Sequence, residues 1–419
     1  MNIIDHIVKN ARPSPDSPLM VRGEGVWIFD DNGNKYLDFC SQTLNLSLGH
    51  SHPEILSAVS KQLSRLTYSS SRFLYKPMLD LVERLLSIAP NGLSRVNIKL
   101  TNGSDANESA VKRARKATGK HTIISFAKAH LGETCETLTM SSKHIDDKSL
   151  GGSKDTIFIL PPFQEFFPNV SLSRERESYS LQQLEQVMEE NHDIAAVIIE
   201  PIMVNAGVFI FSPHFLSCLR SICTKYHIAL IFDEIQTAFG WTGSLFLSQR
   251  IRVIPDMLTI GKALSPGFPL AAILLKPKFD VLDYGVDEFT GGAHPISCAV
   301  AVKNIDILTS TPLLKEVKKK EPWIRDRLHS LISSFPEVID IRGTGMIWGI
   351  SFNSDKMSGP EIAKRVCRQS LDHGLIVRIG GDGKGDNIIL KPPLITTQEE
   401  LELGFQLFEQ VIGDVVSKK

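Results

Sequence analysis

No apolar run in the sequence approaches the roughly 20 residues needed to span a bilayer, so a membrane-embedded chain is not expected. Nor is there an excess of one charge. Lys plus Arg number 46 against 47 Asp plus Glu, which leaves no broad field to recruit nucleic acid or anionic lipid. Cysteine is sparse. The six thiols, Cys40, Cys135, Cys218, Cys223, Cys298 and Cys367, form no CxxC pair and sit among apolar residues, the pattern of reduced side chains packed as small hydrophobes. No metal site is expected from them, and they point to a reducing compartment such as the cytoplasm. The N-terminus lacks the unbroken apolar core of a signal peptide, because Asp5, His6 and Lys9 interrupt it.

What remains is 419 residues, 42% of them hydrophobic, enough to bury a large core and divide into two or more lobes. Near the start, GEGVWIFDDNGNKYLDF places two β-rich runs around a turn at 31–34, which predicts a hairpin. SHPEILSAVSKQLSRL then turns helical. From about 95 to 310, short apolar runs alternate with amphipathic helices: VNIKL, HTIISF, AAVIIEP, HIALIFDE, DMLTIGK and PLAAILL. That alternation predicts βαβ units and a mostly parallel sheet covered on both faces. Ser212 and Pro213 open one helix, with Phe215, Leu216, Leu219, Ile222, Cys223 and Tyr226 on a shared face. Residues 141–180, rich in Ser, Gly, Pro and charge, read as an irregular excursion suited to substrate contacts. Beyond about 311 a helix, VIDIRGTGMIWGISF, a second helix, LIVRIG and NIILKPPL read as an α+β lobe with antiparallel strands.

In open parallel sheets ligands sit at the carboxyl ends of the strands, and three such ends carry suggestive chemistry. In VNIKLTNGSDANESAVKRAR a strand gives way to a turn and a helix, so Gly103 and Ser104 head a helix N-terminus whose free N–H groups suit a phosphate. In IFDEIQTAFGWTG, Asp233 and Glu234 end a buried strand, with Gln236 close by. In DMLTIGKALSPGFPLAAIL, Lys262 follows an apolar strand, where desolvation lowers an amine's proton affinity and makes it nucleophilic. Singly, these are also a capped helix, a solvated acidic loop and a snorkelling lysine. Together they are the parts that hold pyridoxal 5′-phosphate: a phosphate cradle, an amine for the aldehyde and a carboxylate for the ring nitrogen.

The chain resembles the class III aminotransferases, the ornithine and 4-aminobutyrate type within fold type I of the pyridoxal-phosphate enzymes, over residues 23–394. DEIQTAFGWTG is similar to the family's DEVQTGFGRTG, and TNGSDANESAVKRAR and TIGKALSPGFPLAA resemble its phosphate-binding and lysine segments. The resemblance implies an α/β fold with a large cofactor-binding domain at 51–310 and a smaller α+β domain built from 1–50 and 311–419. It implies that Lys262 is the Schiff-base lysine and proton carrier, Asp233 the pyridine-nitrogen partner, and Gln236 the neighbour of the ring's 3-oxygen. Gly103 and Ser104 fall on the phosphate, and His130 falls at the ring-stacking position. FTGGAHPISCAVAV resembles a segment that puts Thr290 on the phosphate of a neighbouring subunit's cofactor, which implies a homodimer with shared active sites. Ser41 and Gln42 fall on the substrate wall, and Arg378 is a further candidate wall residue. Five positions depart from the pattern. Leu131 and Glu133 replace a His and an Arg beside His130, Asn205 replaces a glutamate, Ile389 stands at an arginine position before the closing prolines, and Trp241 stands at another. The implied activity is transamination between a small amino donor and an oxo acid. Racemisation, mutase or lyase chemistry on the same scaffold and a non-catalytic cofactor-binding protein are the alternatives.

Overall fold

Strands such as Ile194–Ile199, IAAVII, have no polar face to offer water, and all six residues are buried. A strand apolar on both sides belongs in the middle of a sheet that helices cover on both faces. The computed structural model, which describes residues 3–14, 16–70, 72–142 and 155–417, places it there. Seven strands run in the order Arg95–Leu100, Ala271–Leu275, Met257–Ile260, Ala229–Asp233, Ile194–Ile199, Thr122–Phe126, Thr156–Ile159. Ala271–Leu275 is antiparallel to both its neighbours, and every other adjacent pair is parallel. The sheet is mostly parallel, as the alternation of runs and helices predicts.

The helix Gly103–Thr118 packs against this sheet through Ala106, Ala110, Val111 and Ala114, each fully buried. Its mostly small side chains let the helix axis approach closely, which holds its N-terminus at the sheet's carboxyl edge. Asn102 caps it by accepting the Asp105 N–H at 3.1 Å. The helix Pro213–Lys225 forms as its sequence predicts, with the Ser212 hydroxyl accepting the Phe215 N–H at 3.0 Å and Phe215, Leu216, Leu219, Ile222 and Cys223 buried. Tyr226 lies just past its end. Ser212→Ala is expected to destabilise the protein by about 1 kcal/mol in urea melts, the usual effect of losing a side-chain cap.

The hairpin forms between Trp27–Asp30 and Lys35–Asp38. Leu375 pairs in parallel with Leu37, so the two ends of the chain share one sheet. A second antiparallel sheet joins Val338–Thr344, Ile347–Phe352, Asn387–Leu390 and Arg378–Ile379. Of the stretch 141–180, residues 143–154 lie outside the described residues. The remainder departs from the expected irregular excursion: Thr156–Ile159 is the edge strand of the large sheet and a helix runs over Ser173–Glu190. That helix escapes a hydrophobic-period reading because its buried face begins with Glu177 and Ser180, satisfied by His214 at 3.0 Å and the Leu160 carbonyl at 2.7 Å. Among the described residues no helix is long and apolar enough to cross a membrane.

Candidate active site

Five of the strand ends meet around one cavity of about 530 Å³. Gly103, Ser104, His130, Asp233, Gln236 and Lys262 all line it.

Asp233 ends its strand opposite Thr259 of the neighbouring one and is 6% exposed. Its Oδ1 accepts the Ile235 N–H at 2.9 Å and its Oδ2 accepts Asn107 Nδ2 at 2.7 Å. Asn107 is itself fixed, because its Oδ1 accepts the Thr259 hydroxyl at 2.8 Å. Burial raises the Asp233 carboxyl to about 6 against those two hydrogen bonds and the attraction of Lys262. Glu234, fully buried, accepts the N–H groups of Leu247 at 2.6 Å and Ser248 at 2.7 Å. It caps the helix Leu247–Ile251, and burial lifts its carboxyl to about 7. The adjacent carboxylates therefore have separate tasks, one facing the cavity and one structural.

Lys262 follows Met257–Ile260 and Gly261 with φ at 45°, a left-handed conformation that costs a side-chain-bearing residue about 1–3 kcal/mol and clusters at functional sites. The turn is held by Asn304, whose Nδ2 donates to the Ala263 carbonyl at 2.7 Å. Burial, then the charge of Arg378, lowers the Lys262 amine to about 8, with Asp233 and Glu200 opposing.

Across the cavity, the N–H groups of Gly103 and Ser104 head the helix Gly103–Thr118, where no intrahelical carbonyl reaches them. The Ser104 oxygen accepts the Glu133 N–H at 3.0 Å, which leaves its own hydrogen free to donate. Gly132, at φ +140°, lies so close that a Cβ there would stand 2.5 Å from the Ser104 oxygen. His130 donates its N–H to Glu200 Oε1 at 2.8 Å, and Glu200 is 4% exposed.

Four residues singled out in the sequence lie away from this lining. Ser41 through Leu44 form a turn with four consecutive positive φ angles. Asp38 holds it by accepting the Cys40 N–H at 3.0 Å and the Gln42 N–H at 3.2 Å. Asp38 also pairs with His50 at 2.9 Å. The Ser41 hydroxyl donates to the Lys391 carbonyl at 2.6 Å and Gln42 Nε2 to Asp38 at 3.2 Å. Asn45 of the same segment lines the cavity instead. Arg378 pairs in register with Ile389 and donates to Asn205 Oδ1 at 3.0 Å. Asn205 and His130 both line a neighbouring cavity of about 470 Å³. Thr290, exposed, lines a separate concavity with Tyr68, Arg72 and Glu288. Asn107 and Glu200 are the supporting residues that the sequence pattern leaves unmarked. Glu200 had a visible signal, an acid ending the strand AAVIIE, as Asp233 ends HIALIFD.

A family model described as aminotransferase class-III matches residues 10–412. Among solved structures, an omega-transaminase from Thermomicrobium roseum, described as (S)-enantioselective, is 27% identical with a TM-score of 0.87, covering 96% of this chain and 93% of that one. An omega-aminotransferase from Paracoccus denitrificans is 26% identical, also at 0.87, covering 96% and 94%. A PMP-bound aminotransferase from Vibrio fluvialis is 25% identical at 0.88, covering 96% and 93%.

Proposed function

The chain belongs to the class-III aminotransferase family of pyridoxal-phosphate enzymes, and on that premise we propose which residues do its chemistry and what they act on. Lys262 is the amine that carries the cofactor and moves the substrate's α-proton, and Asp233 holds the proton on the cofactor's ring nitrogen. The observation that carries this is a half-buried lysine and a buried carboxylate lining one cavity, their proton affinities displaced to about 8 and about 6. The lining fits the group. Gly103 and Ser104 offer helix-end donors for the phosphate, and the Gln236 amide oxygen is buried at the cavity without a hydrogen-bond partner among the described residues. When bound, pyridoxal phosphate supplies an aldehyde that condenses with amines and a ring that takes up the electron pair left at the α-carbon.

The chain's own contribution is positional and electrostatic. Asn107 and the Ile235 N–H fix both Asp233 oxygens in direction, so the carboxylate would meet a ring nitrogen without reorganising. With its affinity near 8, Lys262 keeps roughly a tenth of its amines unprotonated at pH 7, against about one in three thousand for an ordinary lysine. It is poised to take a proton as general base and return it on the same face. His130, pinned through its N–H by Glu200, is placed as the ring-stacking wall.

Arg378 supplies the substrate contact in this reading. Its one hydrogen bond among the described residues goes to the neutral Asn205, and its charge acts on Lys262. A guanidinium whose charge reaches the reacting amine, and which pairs with no carboxylate among the described residues, suits a substrate carboxylate, which favours α-amino acids and oxo acids as one substrate pair. Asn205→Glu supplies that missing partner. It is expected to raise KM for a mono-oxo acid such as pyruvate on the order of tenfold, while KM for an uncharged arylalkylamine donor stays within about twofold in steady-state assays.

The large lobe comprises 51–310 and the small lobe 1–50 with 311–419. Thr290 serves a neighbouring subunit's cofactor phosphate in a homodimer, a role supported by its position outside its own cavity and by the exposed Tyr284, Leu74 and Phe73. Six free cysteines, of which Cys223 and Cys298 are raised to about 12 by burial, suit the cytoplasm. The test is a half-reaction with one amino acid and no oxo acid. Release of one equivalent of oxo acid per site supports transamination, and continuous α-deuterium exchange with inversion supports racemisation instead.

A further inference from the structure

Beyond Gln236 lies a second lysine that the chemistry above does not use. Lys391 follows the strand Asn387–Leu390, and none of it reaches solvent. Its Nζ donates to the main-chain carbonyl of Gln236 at 2.6 Å and stands 4.1 Å from the centroid of the Trp241 ring. Its main chain is tied as well: its N–H donates to the Phe39 carbonyl at 2.6 Å, and its carbonyl accepts the Ser41 hydroxyl at 2.6 Å. Three segments distant in sequence thus meet at one residue. They are the left-handed turn from Ser41 to Leu44, the bend at 233–236, and the end of a C-terminal strand. Among the described residues no carboxylate pairs with the amine.

An amine taken wholly out of water with no counter-charge is costly, and a Leu or Met of similar volume would pack there without that cost. What the amine alone supplies is a donor aimed at the Gln236 carbonyl. We propose that Lys391 is a positioning residue for amino transfer, pinning the 233–236 bend to the turn at Ser41 so that Asp233 and Gln236 keep their aim at the cofactor. This rests on the assignment of Asp233 and Lys262 above. The charged and titratable groups facing the amine are Lys262, Arg378 and Cys40. Burial first, then Lys262 and Arg378, push its proton affinity well below the ordinary lysine range. The ring at 4.1 Å suits a cation, but the attraction of an aromatic face is smaller than the desolvation of a buried ammonium, so burial favours the neutral amine at Lys391. Trp241, fully buried, then serves as its apolar roof.

Lys391→Met keeps the apolar stem and removes the nitrogen. The Met protein is expected to melt no lower than wild type, to lose about tenfold in kcat with the donor KM within about threefold, and to bind pyridoxal phosphate about tenfold more weakly by fluorescence titration. Its unfolding in urea depends less steeply on pH on the alkaline side. In wild type the unfolded chain holds the ammonium proton more tightly than the buried amine does, so the unfolding constant falls with rising pH, and the Met protein loses that part of the slope. Lys391→Leu makes the same comparison if the Met protein does not fold. A Met protein with wild-type kcat and cofactor affinity, beside an active wild type, overturns the positioning role and leaves the proposed function standing. A much lower melting temperature with undiminished turnover in the folded fraction makes Lys391 merely structural, which also overturns it. A wild type that fails to retain the cofactor on Lys262 overturns the proposed function instead.

Discussion

Lys262→Ala is expected to lower kcat by at least about 10³-fold with any amino donor. Removing a positioned general base alone costs about 10²–10⁴-fold, and in the proposed function the same atom also carries the cofactor. The side chain is replaceable in packing terms, because it lines an open cavity and its turn is held by Asn304 and Gly261 rather than by the amine. The variant should therefore fold, and its melting temperature should stay near that of wild type. Relief of the left-handed backbone requires glycine, so alanine leaves that strain in place. Steady-state kinetics beside thermal melts check both halves of the expectation. Retained turnover in a folded variant would remove Lys262 from its role.

The second large effect concerns Asp233→Asn. A carboxylate about 3 Å from a ring cation gains on the order of 5 kcal/mol gross at an effective dielectric near 20, and part of this is lost to desolvation. If about 3–4 kcal/mol remains, the amide variant should lose about 10²–10³-fold in kcat. Its stability should move the other way once the cofactor is stripped. Asp233 is raised from 3.8 to about 6 by burial, so the folded chain holds its proton more tightly than the unfolded chain does. Stability from this group is fully present below pH 3.8 and is lost as pH rises to about 6, a difference of about 3 kcal/mol. Asp233→Asn should abolish that loss and leave the stripped protein more stable than wild type at pH 7. Urea melts of stripped wild type and variant at pH 4 and pH 7 measure it, and equal pH dependence in both would show that Asp233 is not the buried charge described.

Much of this site was legible because its chemistry lies at the ends of strands whose apolar runs are unmistakable. Asp233 follows HIALIF and Lys262 follows MLTI with a glycine between, and a charge there cannot belong to the strand's buried interior. The Gly103 helix was readable for a similar reason, since its alanines mark the face turned to the sheet. What could not be read was the support. Asn107 stands one turn inside that helix and looks like any helical polar residue until folding brings it to Asp233, 126 positions away. Only the family resemblance set Asp233 apart from Glu234 in the sequence, and what holds Glu234, the N–H groups of Leu247 and Ser248, comes from the fold. Ser41 and Gln42 seemed free to line the cavity. Four consecutive left-handed residues, held by Asp38, turn the Ser41 hydroxyl to Lys391 and leave Asn45 at the wall. The helix Ser173–Glu190 was hidden because its buried face opens on polar residues whose partners lie in other elements. In each case the missing information is a long-range contact, which periodicity does not encode.

The departures at Asn205, Ile389 and Trp241 are clarified by the same contacts. Asn205 and Ile389 both adjoin Arg378, one by hydrogen bond and one by strand register, so a single arginine stands among the altered positions. Trp241 closes over Lys391. The changes are local rearrangements around an unaltered pair, Asp233 and Lys262.

The central claim is that this pair holds pyridoxal phosphate, and the most direct test is borohydride reduction of the purified protein loaded with the cofactor, followed by peptide mapping. The absorbance band at the visible edge should disappear, and a reduced phosphopyridoxyl adduct should appear on the peptide containing Lys262 and be absent from Lys262→Ala. An adduct on any other lysine, Lys391 included, or no adduct at all, would contradict the claim.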